Sequence, residues 1–305
     1  MNEQELRALV ERMVREMGPS GAPSAPTRPE AAPPRARAEE GCLDDIAQID
    51  LRELYLIDHP ADREGFLSLK RRTPARLGVG RAGARYRTLT QLRMRADHAA
   101  AQDSVFSLVD EGFVEKLGCP AVQTLCQDKD EYLTRPDLGR RFGPEAQEVI
   151  RRTFGDRPRV ALVIGDGLSS AAIEANAADC MAAIRQGLQA YGIEAGQELF
   201  VKFCRVGASD HIGDLVHPEV VCMLVGERPG LVTAESMSCY LTYGAHIGIP
   251  ESKRTVVSNI HRQGTPAVEA GAHIAELVKT MLEKKAGGTD LKQGRGLPAR
   301  RRKRI

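Results

Sequence analysis

Three short segments combine glycine with polar side chains in a way that suits ligand binding, and each follows an apolar run. They are Gly165-Asp166-Gly167-Leu168-Ser169, Arg205-Val206-Gly207 and Gly226-Glu227-Arg228-Pro229-Gly230. Glycine lets a backbone approach a ligand closely, and the carboxylates of Asp166 and Glu227 can accept hydrogen bonds from amide or hydroxyl groups. The same residues also suit ordinary turns after strands, so from the residues alone both interpretations stay open.

Signatures of common catalytic sites are absent from the sequence. GDGLSS at 165–170 keeps only the first two glycines of the dinucleotide fingerprint G-x-G-x-x-G, and neither G-x-x-x-x-G-K-[ST] nor H-E-x-x-H occurs. Ser169 and Ser170 follow an apolar run, but G-x-S-x-G is missing and no His and Asp partners can be assigned to them. We therefore predict a binding function, with no catalytic residue and no metal site on this chain.

The segments that must position these residues alternate between strand and helix patterns. Continuous apolar runs predict strands at 159–167, 198–206 and 219–227, and helical spacing predicts helices at 171–192 and 210–216. Strands in this order pair in parallel through helical crossovers, and fully apolar strands indicate a sheet covered on both faces. We expect an α/β fold with a Rossmann-like open parallel sheet, which binds ligands beyond the carboxyl ends of its strands.

This Rossmann-like domain is expected to span residues 156–285. Further strands are predicted at 236–243 and 254–261, followed by a helix at 265–285. Residues 42–155 are mainly helical in pattern and contain two Arg-, Gly- and Pro-rich segments, which we interpret as loops. Such loops can bind anions, but they are more typical of subunit interfaces or solvent-exposed surface. The two loops are 71–87 and 131–142.

Both ends of the chain differ from this body. Residues 1–18 place apolar side chains on one face of a helix, and the Pro/Ala-rich segment 19–41 lacks the large apolar residues that ordering needs, so it is a flexible linker. A helix on such a linker favours docking on another protein over packing on its own domain. Residues 286–305 hold seven Lys and Arg against one Asp. Without any aromatic residue, this tail is expected to be disordered and not to bind nucleic acid.

Composition places the chain in the cytoplasm. No apolar run is long enough to cross a membrane, and the N-terminus lacks the pattern of a secretory signal, so we predict neither membrane association nor export. The seven cysteines are odd in number and contain no C-x-x-C pair, which indicates buried thiols in a reducing compartment.

Seven segments together resemble the small subunits of ethanolamine ammonia-lyase, an adenosylcobalamin-dependent enzyme. They occur in the order typical of that family, and none has a simple compositional explanation. The segments are RRTPARLGVGRAGARYRT (71–88), RADHAAAQD (95–103), YLTRPDLGRR (132–141), IGDGLSS (164–170), LVGERPGL (224–231), AESMSCY (234–240) and SNIHRQGTPAVEAG (258–271). The helix and linker at 1–41 are similar to an extension that in this family is associated with entry into a bacterial microcompartment.

The resemblance implies a subunit that is active only with a partner. In the family, cobalamin lies between a Rossmann-like small subunit and a large subunit that carries the substrate site. An adenosyl radical then initiates conversion of ethanolamine to acetaldehyde and ammonia, while the proteins bind and orient the cofactor. The resemblance also implies a location in the bacterial cytoplasm, within a microcompartment whose shell or core proteins would bind the helix at 1–18.

The resemblance places cobalamin contacts on Val206, Glu227 and Val256. A Cys is common in the family at the third position, so a contact there must act through backbone or packing. The D-x-H-x-x-G motif that replaces the cofactor's lower ligand in other cobalamin enzymes is absent, because no residue separates Asp210 from His211. The implied cofactor is therefore base-on adenosylcobalamin. Two other hypotheses stay open: a non-catalytic α/β adaptor of a metabolic complex, and a stand-alone nucleotide-using enzyme.

Overall fold

The central strands consist of residues that water does not reach. Every residue of β4 (Val160–Gly165) and β6 (Val220–Gly226) is buried. Their β-branched and other apolar side chains point to both faces, as in a strand with a packed layer on either side. β5 (Glu198–Lys202) is buried except at its ends. The predicted strands at these three places are therefore confirmed.

The computed structural model describes residues 45–50 and 52–294. The predicted helix at 1–18, the linker at 19–41 and the tail from 295 lie outside the described residues. The chain divides into two units, and the fold described here is that of the second, Ile46–Ile305.

Nine α-helices occur in the described part of the chain. They are α1 (Arg63–Lys70), α2 (Thr88–Phe106), α3 (Glu111–Leu117), α4 (Lys129–Thr134), α5 (Pro144–Phe154), α6 (Ser170–Ala190), α7 (Ala208–Val216), α8 (Ala267–Lys284) and α9 (Gly288–Gly294). Single 3₁₀ turns lie at Ile46–Gln48, Leu138–Arg140 and Glu251–Lys253. The remaining strands are β1 (Arg81–Ala82), β2 (Arg85–Tyr86), β3 (Ala121–Gln123), β7 (Met237–Tyr243) and β8 (Arg254–Ile260).

One six-stranded sheet organises the fold, in the order β3-β5-β4-β6-β7-β8. The pairs among β3, β5, β4 and β6 are parallel, whereas β6–β7 and β7–β8 are antiparallel. The α/β class is confirmed, and the expected parallel pairing is found among β3, β5, β4 and β6, whereas β7 and β8 depart from it. No long helix follows β6 or β7, and a parallel return needs a crossover of a dozen or more residues, usually helical.

Helices pack on both faces of the sheet. One apolar cluster joins β4, β6, β7 and β8 to α6 and α8, and a second joins β4, β5 and β6 to α5 and α7. No residue of β7 or β8 belongs to the second cluster in the described part of the chain. The antiparallel strands are therefore packed in apolar layers on one face only.

Other expectations need correction. The predicted loop 131–142 begins inside α4, and the predicted loop 71–87 contains the short hairpin β1–β2. β3 lies within the region expected to be mainly helical, yet it joins the main sheet beside β5. The disordered tail predicted from residue 286 is wrong for α9, where Leu291 is buried and Asp290 forms an ion pair with Lys253.

Candidate functional site

Val206 lies in the connection between β5 and α7. Its carbonyl accepts hydrogen bonds from the Ser209 backbone N–H at 3.1 Å and from Ser209 Oγ at 2.7 Å. These bonds form the turn that leads into α7, and they fix the backbone at Val206. The Val206 side chain stays half-buried beside the first turn of the helix.

Glu227 directly follows β6, and its carboxylate is held by a tyrosine of the next strand. The Tyr240 hydroxyl donates to Glu227 Oε1 at 2.9 Å, and the Glu227 backbone N–H donates to the Ser236 carbonyl at 3.0 Å. Burial, with the neighbouring Glu227 charge, raises the pKa of Tyr240 to about 12. The hydroxyl therefore stays a donor at neutral pH, and Oε2 has no hydrogen-bond partner within the described residues.

Val256 is directly opposite Tyr240 in the antiparallel pair β7–β8. Opposite residues in such a pair point to the same face, with close β-carbons. Val256 is 45% exposed, although it lies in the middle of a strand. Glu227, Tyr240 and Val256 therefore follow one another along one face of the sheet, on which the described residues form no apolar helix layer over β7 and β8.

A buried arginine connects this face to Val206. The Arg254 side chain is only 2% exposed, and its guanidinium reaches Asp210 Oδ1 and Oδ2 at 2.8 Å each, with Ser209 Oγ and Thr242 Oγ1 at 3.2 Å. Burial lowers the pKa of Arg254, but the hydrogen bonds to Asp210 and Glu251 outweigh it, so the pKa lies above the ordinary arginine value. Arg254 thus fastens the first turn of α7 to β7 and β8.

Three of the residues that hold this site were not singled out from the sequence. Ser209 and Arg254 link Val206 to the strand that carries Val256, and Tyr240 links Glu227 to Val256. Arg254 is the only charged residue of its strand, RTVVSNI, and an arginine in that position is the one signal that the sequence offers. The partners of Ser209 and Tyr240 follow from how α7 and the strands pack together, which no local sequence pattern encodes.

Asp166 does not belong to this surface. It is buried, and its carboxylate accepts hydrogen bonds from Ser170 Oγ at 2.7 Å and from the Val109 backbone N–H at 3.3 Å. Burial raises the pKa of Asp166, while the positive charge of Lys129 opposes that effect. Lys129 Nζ also donates to the Gly167 carbonyl at 3.1 Å. Asp166 therefore stabilises the turn between β4 and α6 from inside.

The first glycine segment is likewise a structural junction. Ser169 Oγ caps α6 by accepting from the Ala172 backbone N–H at 3.1 Å. A β-carbon on Gly226 would lie 2.0 Å from the Ser169 carbonyl oxygen, so only glycine lets β6 pass this close to the α6 turn. The glycine at 226 is thus required by packing.

Two cavities are lined by residues other than the three predicted contact residues. One of about 700 Å³ is lined by residues of the 71–76 loop, by Arg93 and Asp97 of α2, and by residues 231–233 and 259–263 among others. The other, of about 440 Å³, lies between β2, α2 and Leu231. Several of the segments that carry the family resemblance therefore meet at the larger cavity.

Among the described residues, no group of three or more His, Cys, Asp or Glu side chains is placed to hold a metal ion. Along one face of the sheet, this site offers a Glu227 carboxylate that Tyr240 orients and an exposed Val256 side chain.

No helix in the described part of the chain has the length and apolar character needed to cross a membrane.

Comparisons with known proteins agree on one family. The family model for ethanolamine ammonia-lyase light chain (EutC) matches residues 63–292. A protein of Clostridioides difficile named ethanolamine ammonia-lyase small subunit is 58% identical over 293 residues, which is 96% of this chain and 100% of the relative. Proteins with the same name from Clostridium perfringens and Listeria monocytogenes serotype 4a are 57% and 55% identical, again over 96% of this chain and 100% of each relative.

Proposed function

Because this chain belongs to the ethanolamine ammonia-lyase light chain family, we propose that it acts as the small subunit of an ethanolamine ammonia-lyase. With a large subunit it would convert ethanolamine to acetaldehyde and ammonia. As the resemblance implies, the large subunit would hold the substrate. The small subunit would contribute to cofactor binding.

We propose that the cofactor is adenosylcobalamin, bound by Val206, Glu227 and Val256. The observation that carries this proposal is the line Glu227–Tyr240–Val256, along which Tyr240 orients the Glu227 carboxylate and Val256 is 45% exposed. Cobalamin carries amide groups around a large flat ring. Glu227 Oε2 can accept a hydrogen bond from such an amide, and the two valines can pack on the apolar ring.

When bound, adenosylcobalamin would supply the radical chemistry of the deamination. The chain's own residues would orient it and keep water away. Tyr240 holds the Glu227 carboxylate in one orientation before the cofactor binds. This lowers the conformational entropy that the side chain loses on binding. Arg254 and Ser209 fix the backbone at Val206 in the same way.

The base-on state of the cofactor has separate support in His211. Its Nδ1 accepts from the Phe142 backbone N–H at 3.1 Å, and its ring stacks on Phe142 with a centroid distance of 5.6 Å. Burial lowers the pKa of His211. Both contacts occupy the His211 ring within the fold, so we propose that cobalamin keeps its own lower ligand.

We also propose that the parallel half of the sheet is Rossmann-like.

We further propose that residues 1–18 direct the enzyme into a bacterial microcompartment in the cytoplasm. The support is the amphipathic pattern followed by the linker at 19–41. Deletion of residues 1–18 should leave acetaldehyde production by the purified complex unchanged and release the enzyme from the compartment in cell fractionation. Loss of activity on deletion would instead make the helix part of the catalytic complex.

The cofactor proposal is tested in the complex with a cognate large subunit. Wild type should release acetaldehyde from ethanolamine only when adenosylcobalamin is added. Glu227→Ala should raise the cofactor Kd by about tenfold, because a charge-assisted hydrogen bond is lost. Glu235→Ala is the matched control, since Glu235 is an exposed glutamate of the same connection between β6 and β7.

Two results would contradict the proposal. Absence of any complex or turnover with cognate large subunits would favour the adaptor hypothesis. An active complex in which Glu227→Ala and Glu235→Ala bind cobalamin with equal affinity would remove Glu227 from the cofactor site.

A further inference from the structure

Besides the C-terminal tail, positive charge is concentrated in a second stretch of the chain. The whole sequence is nearly balanced, with 43 Lys and Arg against 41 Asp and Glu, yet residues 65–98 hold nine Lys and Arg against one Asp. Several of these cations are neutralised within the fold, for example Arg71 by Glu53 and Arg87 by Asp58. Arg72, Arg85 and Arg95 are exposed and have no acidic partner among the described residues.

Two of these free arginines flank an apolar groove. The groove of about 440 Å³ is lined by Ala84, Arg85, Tyr86, Gln91, Met94, Arg95, His98 and Leu231. Tyr86, Leu92, Leu231 and the neighbouring Val232 are exposed large apolar residues. An apolar floor with a charged rim, in which Tyr, Met and Arg are prominent, is the composition of a protein interface.

Helix α2 forms one wall of this groove and has little cover of its own. Only Thr90, Ala101 and Ser104 of its 19 residues are buried. Most helical stability in proteins comes from packing of an apolar face, and the described part of the chain fully buries only these three residues of α2. Contact with another protein would bury the apolar side chains of α2 that the described part of this chain leaves exposed.

The groove is also preorganised. Arg76 donates from Nη2 to Asp97 Oδ2 of α2 at 2.5 Å and to the Leu231 carbonyl at 2.7 Å. Arg93 holds the same Asp97 from one turn away at 2.9 Å. Both walls of the groove are therefore tied to each other, and a partner need not order them on binding.

The groove is linked to the proposed cofactor surface through one segment. The connection between β6 and β7 begins at Glu227, and its residues Leu231 to Thr233 reach the two cavities. A protein that covers the cofactor at Glu227 therefore meets the groove along the same connection. This continuity favours the large subunit as the occupant.

We propose that the groove between β2, α2 and Leu231, with Arg85 and Arg95 at its rim, docks the large subunit. The large subunit would insert an apolar side chain flanked by Asp or Glu residues. This inference rests on the proposed function, because it takes the existence of the large subunit from it. It adds the surface, the residues and the charge of the contact.

The test measures the Kd of the complex between small and large subunits by sedimentation at low and high salt. Leu231→Asp places a charge in the groove and should weaken the complex by about 30-fold or more, as loss of a buried anchor does. The double variant Arg85→Glu with Arg95→Glu should weaken it by about tenfold or more, with a larger effect at low salt.

The matched control carries the same charge change elsewhere. Arg151→Glu with Arg152→Glu alters two exposed arginines of α5, which line neither cavity, and should change the Kd by less than about twofold. Unchanged circular dichroism and thermal midpoints establish that each variant is folded.

The outcomes separate the inference from the proposed function. If wild type forms an active complex and the folded groove variants bind the large subunit as tightly as the control, the docking inference is wrong and the proposed function stands. If the groove variants keep the complex but lose cobalamin affinity, the surface binds the cofactor, and the inference is again wrong. If the wild-type chain forms no complex with the large subunit and produces no acetaldehyde, the docking inference and the proposed function are both wrong.

Discussion

Replacing Arg254 by Met tests whether the buried guanidinium holds the candidate site together. Met keeps much of the aliphatic volume and removes the charge and all donors. The change leaves Asp210, which is 13% exposed, without its bidentate partner. It also removes the hydrogen bonds to Ser209 Oγ and Thr242 Oγ1.

The expected cost follows from burial. Removal of one partner of a buried ion pair costs about 3–5 kcal/mol, because the remaining charge has lost both water and its counter-charge. Glu251 is 78% exposed and adds little to that figure. We therefore expect Arg254→Met to lower the free energy of unfolding by about 3 kcal/mol. The double variant Arg254→Met with Asp210→Asn should lose less than the single variant, since no charge is then left buried.

Urea unfolding followed by circular dichroism measures these differences. Arg159→Met is the matched control, because Arg159 pairs with Glu219 at 3.4 Å while their side chains are 49% and 43% exposed. Loss of this exposed pair should cost at most about 1 kcal/mol. If Arg254→Met costs no more than Arg159→Met, or if Asp210→Asn does not relieve its effect, then the reasoning from burial is wrong.

The remaining predictions concern the strand β7 and the end of β6. Tyr240→Phe frees the Glu227 carboxylate and should raise the cofactor Kd of the complex about fivefold by titration, corresponding to about 1 kcal/mol for one hydrogen bond. Since the folded-state pKa of Tyr240 is raised to about 12, above the unfolded value near 10, wild type should lose stability between about pH 10 and pH 12, and Tyr240→Phe should lose less in urea unfolding. Gly226→Ala should cost about 2–3 kcal/mol by thermal unfolding, because its β-carbon meets the Ser169 carbonyl oxygen at 2.0 Å. Gly230→Ala is its control, with the nearest atom 3.7 Å away.

Strand positions could be predicted from the sequence where burial is complete. β4, β5 and β6 are continuous apolar runs, and such runs are visible without any tertiary information. β3 has three residues, which are too few for a periodic signal. Its pairing with β5 joins segments that are far apart in the sequence, so no local pattern predicts it. The direction of β7 and β8 follows from their connections, which contain no crossover helix, and that signal was present in the sequence.

The two carboxylates at strand ends show why residue type alone does not assign a site. Asp166 and Glu227 both follow an apolar strand and adjoin glycine. The Asp166 carboxylate accepts a hydrogen bond from the Val109 backbone N–H of a distant segment, and it is buried. The Glu227 carboxylate accepts one from the Tyr240 hydroxyl, and its Oε2 has no hydrogen-bond partner among the described residues. That difference depends on which chain segment passes each strand end, and no local pattern encodes it.

The antiparallel half of the sheet also explains how a residue in the middle of a strand can reach a ligand. In a doubly wound parallel sheet, crossover helices cover both faces, and ligands bind only beyond the carboxyl ends of the strands. β7 and β8 return without such helices, and the face of Val256 and Tyr240 therefore has no apolar helix layer from the described chain. Val256 would have been inaccessible in the parallel sheet that the sequence predicts. Because the sheet is mixed, Val256 lies on an exposed surface that continues from Glu227, and one large ligand can contact both residues.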